Sequence, residues 1–306
     1  MKILAFHQNL SSHKCDFIKF IKKGLSQRDG PLNNQILRRG KTRIEKRQGM
    51  KILVIGDVTS PSGVEHLKKN LWKFREDNKI DFCVVNGENA SFITGISPEL
   101  AEILLRSGAD CITGGNHTLR NKRVYTYLDD TREILRPVNF GSDAPGRGYT
   151  ILDCNGYRIL VINAMGRVHI EPTLDSPFTH IDRVLRECEG KYDFAILDIH
   201  AEATGEKMAV GYAYDGKINL IFGTHTHVQT ADGRVLPNGS GYISDAGMCG
   251  ESGGILGMDA DTVVLRMRSN LPHNFKAAAG KCHADGVIFT LDTATGKVTK
   301  VTPCGF

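Results

Sequence analysis

From Lys51 onward, short apolar runs alternate with stretches in which apolar residues recur every three or four positions. Lys51–Ile55 reads as a buried strand ending in Gly56-Asp57, and Val64, Leu67, Leu71 and Phe74 then mark a helix with Ser62 as its N-cap. Ile80–Val85 reads as a second strand, leading into Asn86-Gly87-Glu88-Asn89. A helix capped by Ser97, with Leu100, Ile103 and Leu104 on one face, precedes a third strand around Cys111-Ile112. That strand runs into Gly114-Gly115-Asn116-His117. The pattern then changes. Tyr149–Cys154 and Tyr157–Ala164 are consecutive strands joined at Asn155-Gly156, a two-residue hairpin signal.

Ile181, Val184 and Leu185 mark a further helix, and Phe194–Leu197 a strand ending in Asp198-Ile199-His200. Ile218–Phe222 is another buried run, closing in Gly223-Thr224-His225-Thr226-His227. In extended backbone two residues at that spacing share one side, so both imidazoles are expected to reach one small volume. The Gly-rich stretch 247–257 lacks the Gly-Lys-Ser/Thr of a phosphate-binding loop; it reads as structural, with the lining of a nucleotide pocket as the alternative. Thr262–Met267, Val287–Leu291 and Val298–Val301 alternate and predict edge strands closing the sheet. Strand–helix alternation followed by antiparallel pairing predicts an α/β fold, a two-sheet β sandwich flanked by helices rather than a Rossmann domain.

Composition narrows the class. At 306 residues the chain can bury a sizeable core, and no apolar run has membrane-spanning length. Eight cysteines are scattered without a C-x-x-C pair, which argues for reduced thiols and a cytoplasmic setting, and against a structural zinc site. The net charge of +5 conceals an asymmetry: residues 1–49 carry twelve Lys or Arg against Asp16, Asp29 and Glu45, so the rest carries −4. This basic extension is expected to be a disordered or weakly helical tail, an organelle-type presequence, or residues upstream of a true start at Met50. Met50-Lys51-Ile52-Leu53 repeats Met1-Lys2-Ile3-Leu4, and the domain proper is expected to span 50–306. An acidic domain disfavours broad nucleic-acid binding, although the extension could supply cations for RNA.

The candidate chemistry gathers at strand ends. Asp57, Glu88, Asn116, His200, His225 and His227 all stand at, or just past, the carboxyl end of a predicted strand, where open α/β sheets bind ligands. Carboxylate and amide oxygens with imidazoles suit Mn, Fe or Mg, and one carboxylate can bridge two ions. Asp198 and Glu202 flank His200 and could orient its second ring nitrogen.

The order of these residues resembles the calcineurin-like metallophosphoesterases. It is closest to their YmdB-type branch, the 2′,3′-cyclic-nucleotide 2′-phosphodiesterases. The motifs that carry the resemblance are Gly56-Asp57, Asn86-Gly87-Glu88-Asn89, Gly115-Asn116-His117, Asp198-Ile199-His200-Ala201-Glu202, Thr204-Gly205-Glu206-Lys207 and Gly223-Thr224-His225-Thr226-His227-Val228. The resemblance implies a metallophosphoesterase-like four-layer αββα fold and two metal ions, iron or manganese. One ion would be held by Asp57, Glu88, Asn89 and His227. The other would share Glu88 and take Asn116, His200 and His225. A hydroxide between the ions would open a 2′,3′-cyclic phosphate to the 3′-nucleotide, with His117 as proton donor. Two departures stand out: Thr59 replaces the histidine of the wider family's D-x-H, a vacancy Asn89 fills in this branch, and Gly205 replaces a serine. The rival readings are a nucleotidase or general phosphodiesterase of the same superfamily, and a regulatory protein that binds RNA or a partner. The expected partners are a small cyclic nucleotide or phosphodiester and further copies of the chain in a homo-oligomer of unspecified order, with no membrane.

Overall fold

The computed structural model describes residues 49–306 except Ile93. The readings made for the basic extension lie outside the described residues.

Two six-stranded sheets form the frame. The first comprises β1 (Gly49–Val58), β2 (Phe82–Asn86), β3 (Cys111–Thr113), β10 (Met248–Glu251), β11 (Cys282–Asp292) and β12 (Val298–Gly305), in the order β12-β11-β10-β1-β2-β3. The second comprises β4 (Tyr149–Cys154), β5 (Tyr157–Met165), β6 (Phe194–His200), β7 (Leu220–Thr224), β8 (Arg234–Val235) and β9 (Gly241–Ile243), in the order β4-β5-β6-β7-β9-β8. Alternation along each strand sorts side chains into layers. Ile52, Val54, Ile159 and Val161 meet between the sheets. Leu53 and Ile55 face the other way, onto α1 (Pro61–Asn78) and α2 (Pro98–Arg106), through Val64, Leu67, Leu71 and Leu104. Leu160, Ile162 and Leu197 do the same on the second sheet, onto α4 (Pro177–Glu187) and α5 (Thr204–Ala213), through Ile181, Val184 and Val210. A short α3 (Tyr125–Asp130) and α6 (Ala260–Ser269) complete the helices of the described residues. The outcome is the expected four-layer αββα sandwich.

The hairpin falls where the sequence puts it. Cys154 pairs with Tyr157, and Asn155 and Gly156 turn at φ 54° and 81°, the left-handed pair that matches strand twist. Three local expectations need correction. The first helix is capped by Ser60, whose hydroxyl accepts from Gly63 N at 3.2 Å ahead of Pro61; Ser62 lies inside the helix and is exposed. Thr262–Met267 is helical, not a strand: Asp259 caps it by accepting from Thr262 N at 3.0 Å, and among its residues only Val263 is buried. β11 is no edge strand, because it pairs antiparallel with β1 from Gly49–Asp292 to Ile55–Gly286 and with β12 on its other side. The Gly-rich stretch contributes β10, a parallel partner of β1 at Asp57–Met248, in keeping with a structural role.

Candidate metal centre

The strands that deliver candidate ligands run parallel to one another within each sheet, so the carboxyl ends of β1, β2 and β3 in one sheet meet those of β6 and β7 in the other. A register shift between β1 and β2 at Ile55/Asp57, a bulge, re-aims Asp57. The sheets are tied together there. Asp57 Oδ2 accepts from His225 N at 2.9 Å, and Asn86 Nδ2 donates to Asp198 Oδ2 at 2.9 Å. Asn163, on β5, clamps the loop after β3 by accepting from Gly114 N and donating to Gly114 O, both at 3.0 Å.

All eight residues singled out from the sequence converge. His227 Nε2 lies 3.8 Å from Asp57 Oδ1 and 3.4 Å from Asn89 Nδ2. His200 Nε2 lies 3.1 Å from Asn116 Oδ1, 3.1 Å from His225 Nδ1 and 3.8 Å from Glu88 Oε1. His117 stands beside both, its backbone N–H donating to Glu88 Oε1 and its Nδ1 lying 2.7 Å from Asn89 Oδ1. Gly115 makes room for this: a Cβ there would fall 2.2 Å from Cδ2 and Nε2 of the His200 ring.

His225 and His227 reach the site by another route than strand alternation. β7 ends at Thr224, and the two histidines follow in a turn at φ 100° and 61°, conformations that a non-glycine residue adopts at a cost of about 1–3 kcal/mol each. The turn is held by side chains the sequence reading did not assign. Asp245 accepts from Thr226 Oγ1 at 2.7 Å and Thr226 N at 3.1 Å, and pairs with the buried Lys207 ammonium at 2.7 Å. Lys207 belongs to the Thr204-Gly205-Glu206-Lys207 motif. Glu206 holds the loop after β5 by accepting from Arg167 N at 2.9 Å. Glu202 also departs from expectation, since it meets His225 Nε2 at 3.1 Å rather than His200. Asp198 does not touch His200 directly either; Thr224 stands between them.

The electrostatics are those of anions kept from water. Burial, then the Asp245 charge, raises Asp57 to about 8, and burial followed by Asp57 lifts Glu88 well above the usual carboxylate range. Burial likewise raises Asp198 to about 7 and holds His200, His225 and His227 below the ordinary imidazole value. His117 falls to about 4 through burial, then Arg120, His225 and His227.

A cation fits these residues. Asp57 Oδ1 is wholly buried and has no hydrogen-bond partner. His227 Nδ1 faces the Leu256 carbonyl at 3.1 Å, and His225 Nε2 faces the Glu202 carboxylate, so each carries its hydrogen outward and turns a lone pair inward. Donors sharing one ion at ~2.1 Å stand roughly 3.0–3.4 Å apart at right-angle to tetrahedral geometry, close to the spacing around His200. Among the described residues, no three His, Cys, Asp or Glu side chains close on one point. Each group here is a pair of such side chains joined by an asparagine. Asn89 turns its oxygen to His117 and its amino group to His227; a half-turn of the amide exchanges the two and offers the oxygen.

Two parallel-stranded edges meeting over carboxylates, amides and imidazoles define a metallophosphoesterase-like architecture. The chain belongs to the YmdB-like protein family, whose model matches residues 53–304. A 2′,3′-cyclic-nucleotide 2′-phosphodiesterase of Bacillus subtilis (strain 168) is 42% identical over 252 residues, covering 82% of this chain and 95% of the relative. The crystal structure of a novel phosphatase from Mycoplasma pneumoniae superposes with a TM-score of 0.78 at 31% identity, covering 84% of this chain and 93% of the other. A hypothetical protein from Thermus thermophilus gives the same TM-score at 34% identity, covering 84% and 99%.

Proposed function

We propose that this chain is a metal-dependent phosphodiesterase that opens 2′,3′-cyclic nucleotides to 3′-nucleotides. The observation that carries the reading is the convergence of two donor groups and Glu88, with His117 beside them. One group is Asp57, Asn89 and His227; the other is Asn116, His200 and His225; Glu88 would be shared by both. Iron or manganese suits this donor set. Cations bound there would polarise the phosphoryl oxygens and lower the pKa of a water. The Bacillus subtilis relative's name supplies the substrate class.

His117 is the proton donor. As water adds to phosphorus and the bond from phosphorus to the ribose 2′ oxygen breaks, the departing oxygen takes a proton from the imidazole. Burial holds the ring's proton affinity down, to about 4, so His117 must take up a second ring proton, as an imidazolium, before it acts. Seven unpaired cysteines among the described residues, five of them buried, support a reducing, cytoplasmic setting. Among the described residues no helix is long and apolar enough to cross a membrane.

The test is hydrolysis of 2′,3′-cAMP against 3′,5′-cAMP and an aryl phosphodiester, in wild type and His117→Ala, with metal content measured alongside. Preference for the 2′,3′ ring, release of the 3′-phosphate and a kcat lower by about 10²–10⁴-fold in the variant support the reading. Metal without that preference assigns the site to a general phosphodiesterase or nucleotidase. Absence of both metal and turnover removes it.

A further inference from the structure

Asp198 and Thr224 are polar residues at the ends of apolar strands, both wholly buried, and neither faces the substrate side. Their hydrogens can be counted. Asp198 Oδ2 accepts from Asn86 Nδ2 at 2.9 Å and from Thr113 Oγ1 at 2.5 Å, and its Oδ1 lies 2.8 Å from Thr224 Oγ1. A carboxylate only accepts, so Thr224 gives its single hydroxyl hydrogen to Asp198. The same Oγ1 lies 2.9 Å from His200 Nδ1. Having spent its hydrogen, it can only accept there, which places a hydrogen on Nδ1 and leaves the lone pair on Nε2. Asp57 Oδ1, 3.8 Å from Nδ1, is too distant to compete.

Nε2 is the atom that lies 3.1 Å from both Asn116 Oδ1 and His225 Nδ1. Glu202 has already drawn the His225 hydrogen to the far side of that ring. Three acceptors therefore face one another across a buried gap, an arrangement that a cation reconciles. With the opposite hydrogen order, His200 would donate to its neighbours and satisfy the gap without metal.

We propose that Asp198, acting through Thr224, is the positioning residue that fixes His200 in its Nδ1–H tautomer and aims the Nε2 lone pair into the centre. The proposal rests on the reading of this site as a metal centre. Asp198 and Thr224 touch neither substrate nor reacting atoms. Substitution by an amide reverses the chain of donors. In Asp198→Asn the amide oxygen stays where Asn86 and Thr113 donate, so the amino group meets Thr224, the hydroxyl turns toward His200, and the hydrogen moves to Nε2. Shape is preserved and the tautomer is wrong, the way an orienting carboxylate loses its effect when amidated.

The experiment uses the full chain labelled with ¹⁵N in histidine, metal-free, at pH ~8.5. The His200 ring nitrogens are compared in wild type, Asp198→Asn, Thr224→Val and Thr224→Ser, and each protein is then titrated with Mn²⁺. Wild type and Thr224→Ser are expected to hold the Nδ1–H tautomer. Asp198→Asn is expected to show Nε2–H and Thr224→Val a mixture, with Mn²⁺ affinity lower by about 10–100-fold in both. An unchanged tautomer in Thr224→Val and Asp198→Asn overturns the proposal, as does a wild type that already carries Nε2–H. If wild type fails to bind Mn²⁺, the metal-centre reading falls, while the tautomer comparison still decides the relay. Should Asp198→Asn not fold, the Val/Ser pair at position 224 decides alone.

Discussion

At the scale of single residues, the site stores its demand for a cation as displaced protons. Folding raises Asp57 to about 8, Asp198 to about 7 and Glu88 well above the usual carboxylate range, from ordinary carboxylate values in the unfolded chain. A raised acid means that the folded chain holds protons which the unfolded chain releases, so stability falls as pH climbs through the folded values. Below the imidazole value of 6.5 the buried histidines oppose this, because the unfolded chain then binds protons that His200 and His227 refuse. From pH 6.5 to about 8 the carboxylates act alone. Urea melts of the metal-free protein should therefore show stability declining across that window. Saturating Mn²⁺ should flatten the decline, since the ion holds the carboxylates charged. A metal-free protein whose stability rises over the same interval would contradict the protonation assigned here.

At the scale of elements, the site depends on how closely strands and turns approach. Gly115→Ala would drive a methyl into the His200 ring, 2.2 Å away. Displacing that ring by about 1 Å is expected to cost about 100-fold in kcat. Far-ultraviolet dichroism should stay unchanged, which separates a local effect from unfolding. Lys207→Met acts on the next turn. It leaves Asp245 buried without its cation and the Thr226 turn without its anchor, at a cost of about 3–5 kcal/mol read from denaturant midpoints. Adding Asp245→Asn should recover part of that loss.

Most strands and helices, and the strand-end places of the candidate residues, were legible because they follow local rules: apolar runs, caps, an Asn-Gly turn, and polar residues where a strand stops. What escaped was set by distant partners. Thr262–Met267 alternates like a strand, yet Asp259 caps it and the sheet has no place for it. His225 and His227 share a volume through a strained turn fastened by Asp245, eighteen residues beyond His227. One signal was available for the positioning residues. Asn163 and Asp198 interrupt otherwise apolar strands, and a polar side chain buried in a sheet requires partners.

At the scale of the whole molecule, the centre lies between two sheets and is contributed by both. Asp57, Glu88 and Asn116 come from one sheet's edge, and His200, His225 and His227 from the other's. An ion held across that seam stabilises the folded state alone. At about 100 times its dissociation constant, a bound ion adds about 2.7 kcal/mol. Exhaustive chelation should lower the thermal midpoint, and Mn²⁺ should restore it in proportion to the logarithm of its concentration. A midpoint indifferent to chelator and to Mn²⁺ would place the ion outside the seam.

The pairing of β1 with β11 carries a consequence for synthesis. Gly49–Ile55 lies against Gly286–Asp292, so a strand translated early waits for a partner made more than two hundred residues later. Until then one flank of β1 is open, and β10, with Gly247 ahead of it whose carbonyl accepts from Asp57 N, has not yet left the ribosome. Closing so long a loop is slow. A nascent chain stalled before residue 282 presents an unpaired edge and an unfinished candidate centre, open to wrong pairing until its last two strands emerge.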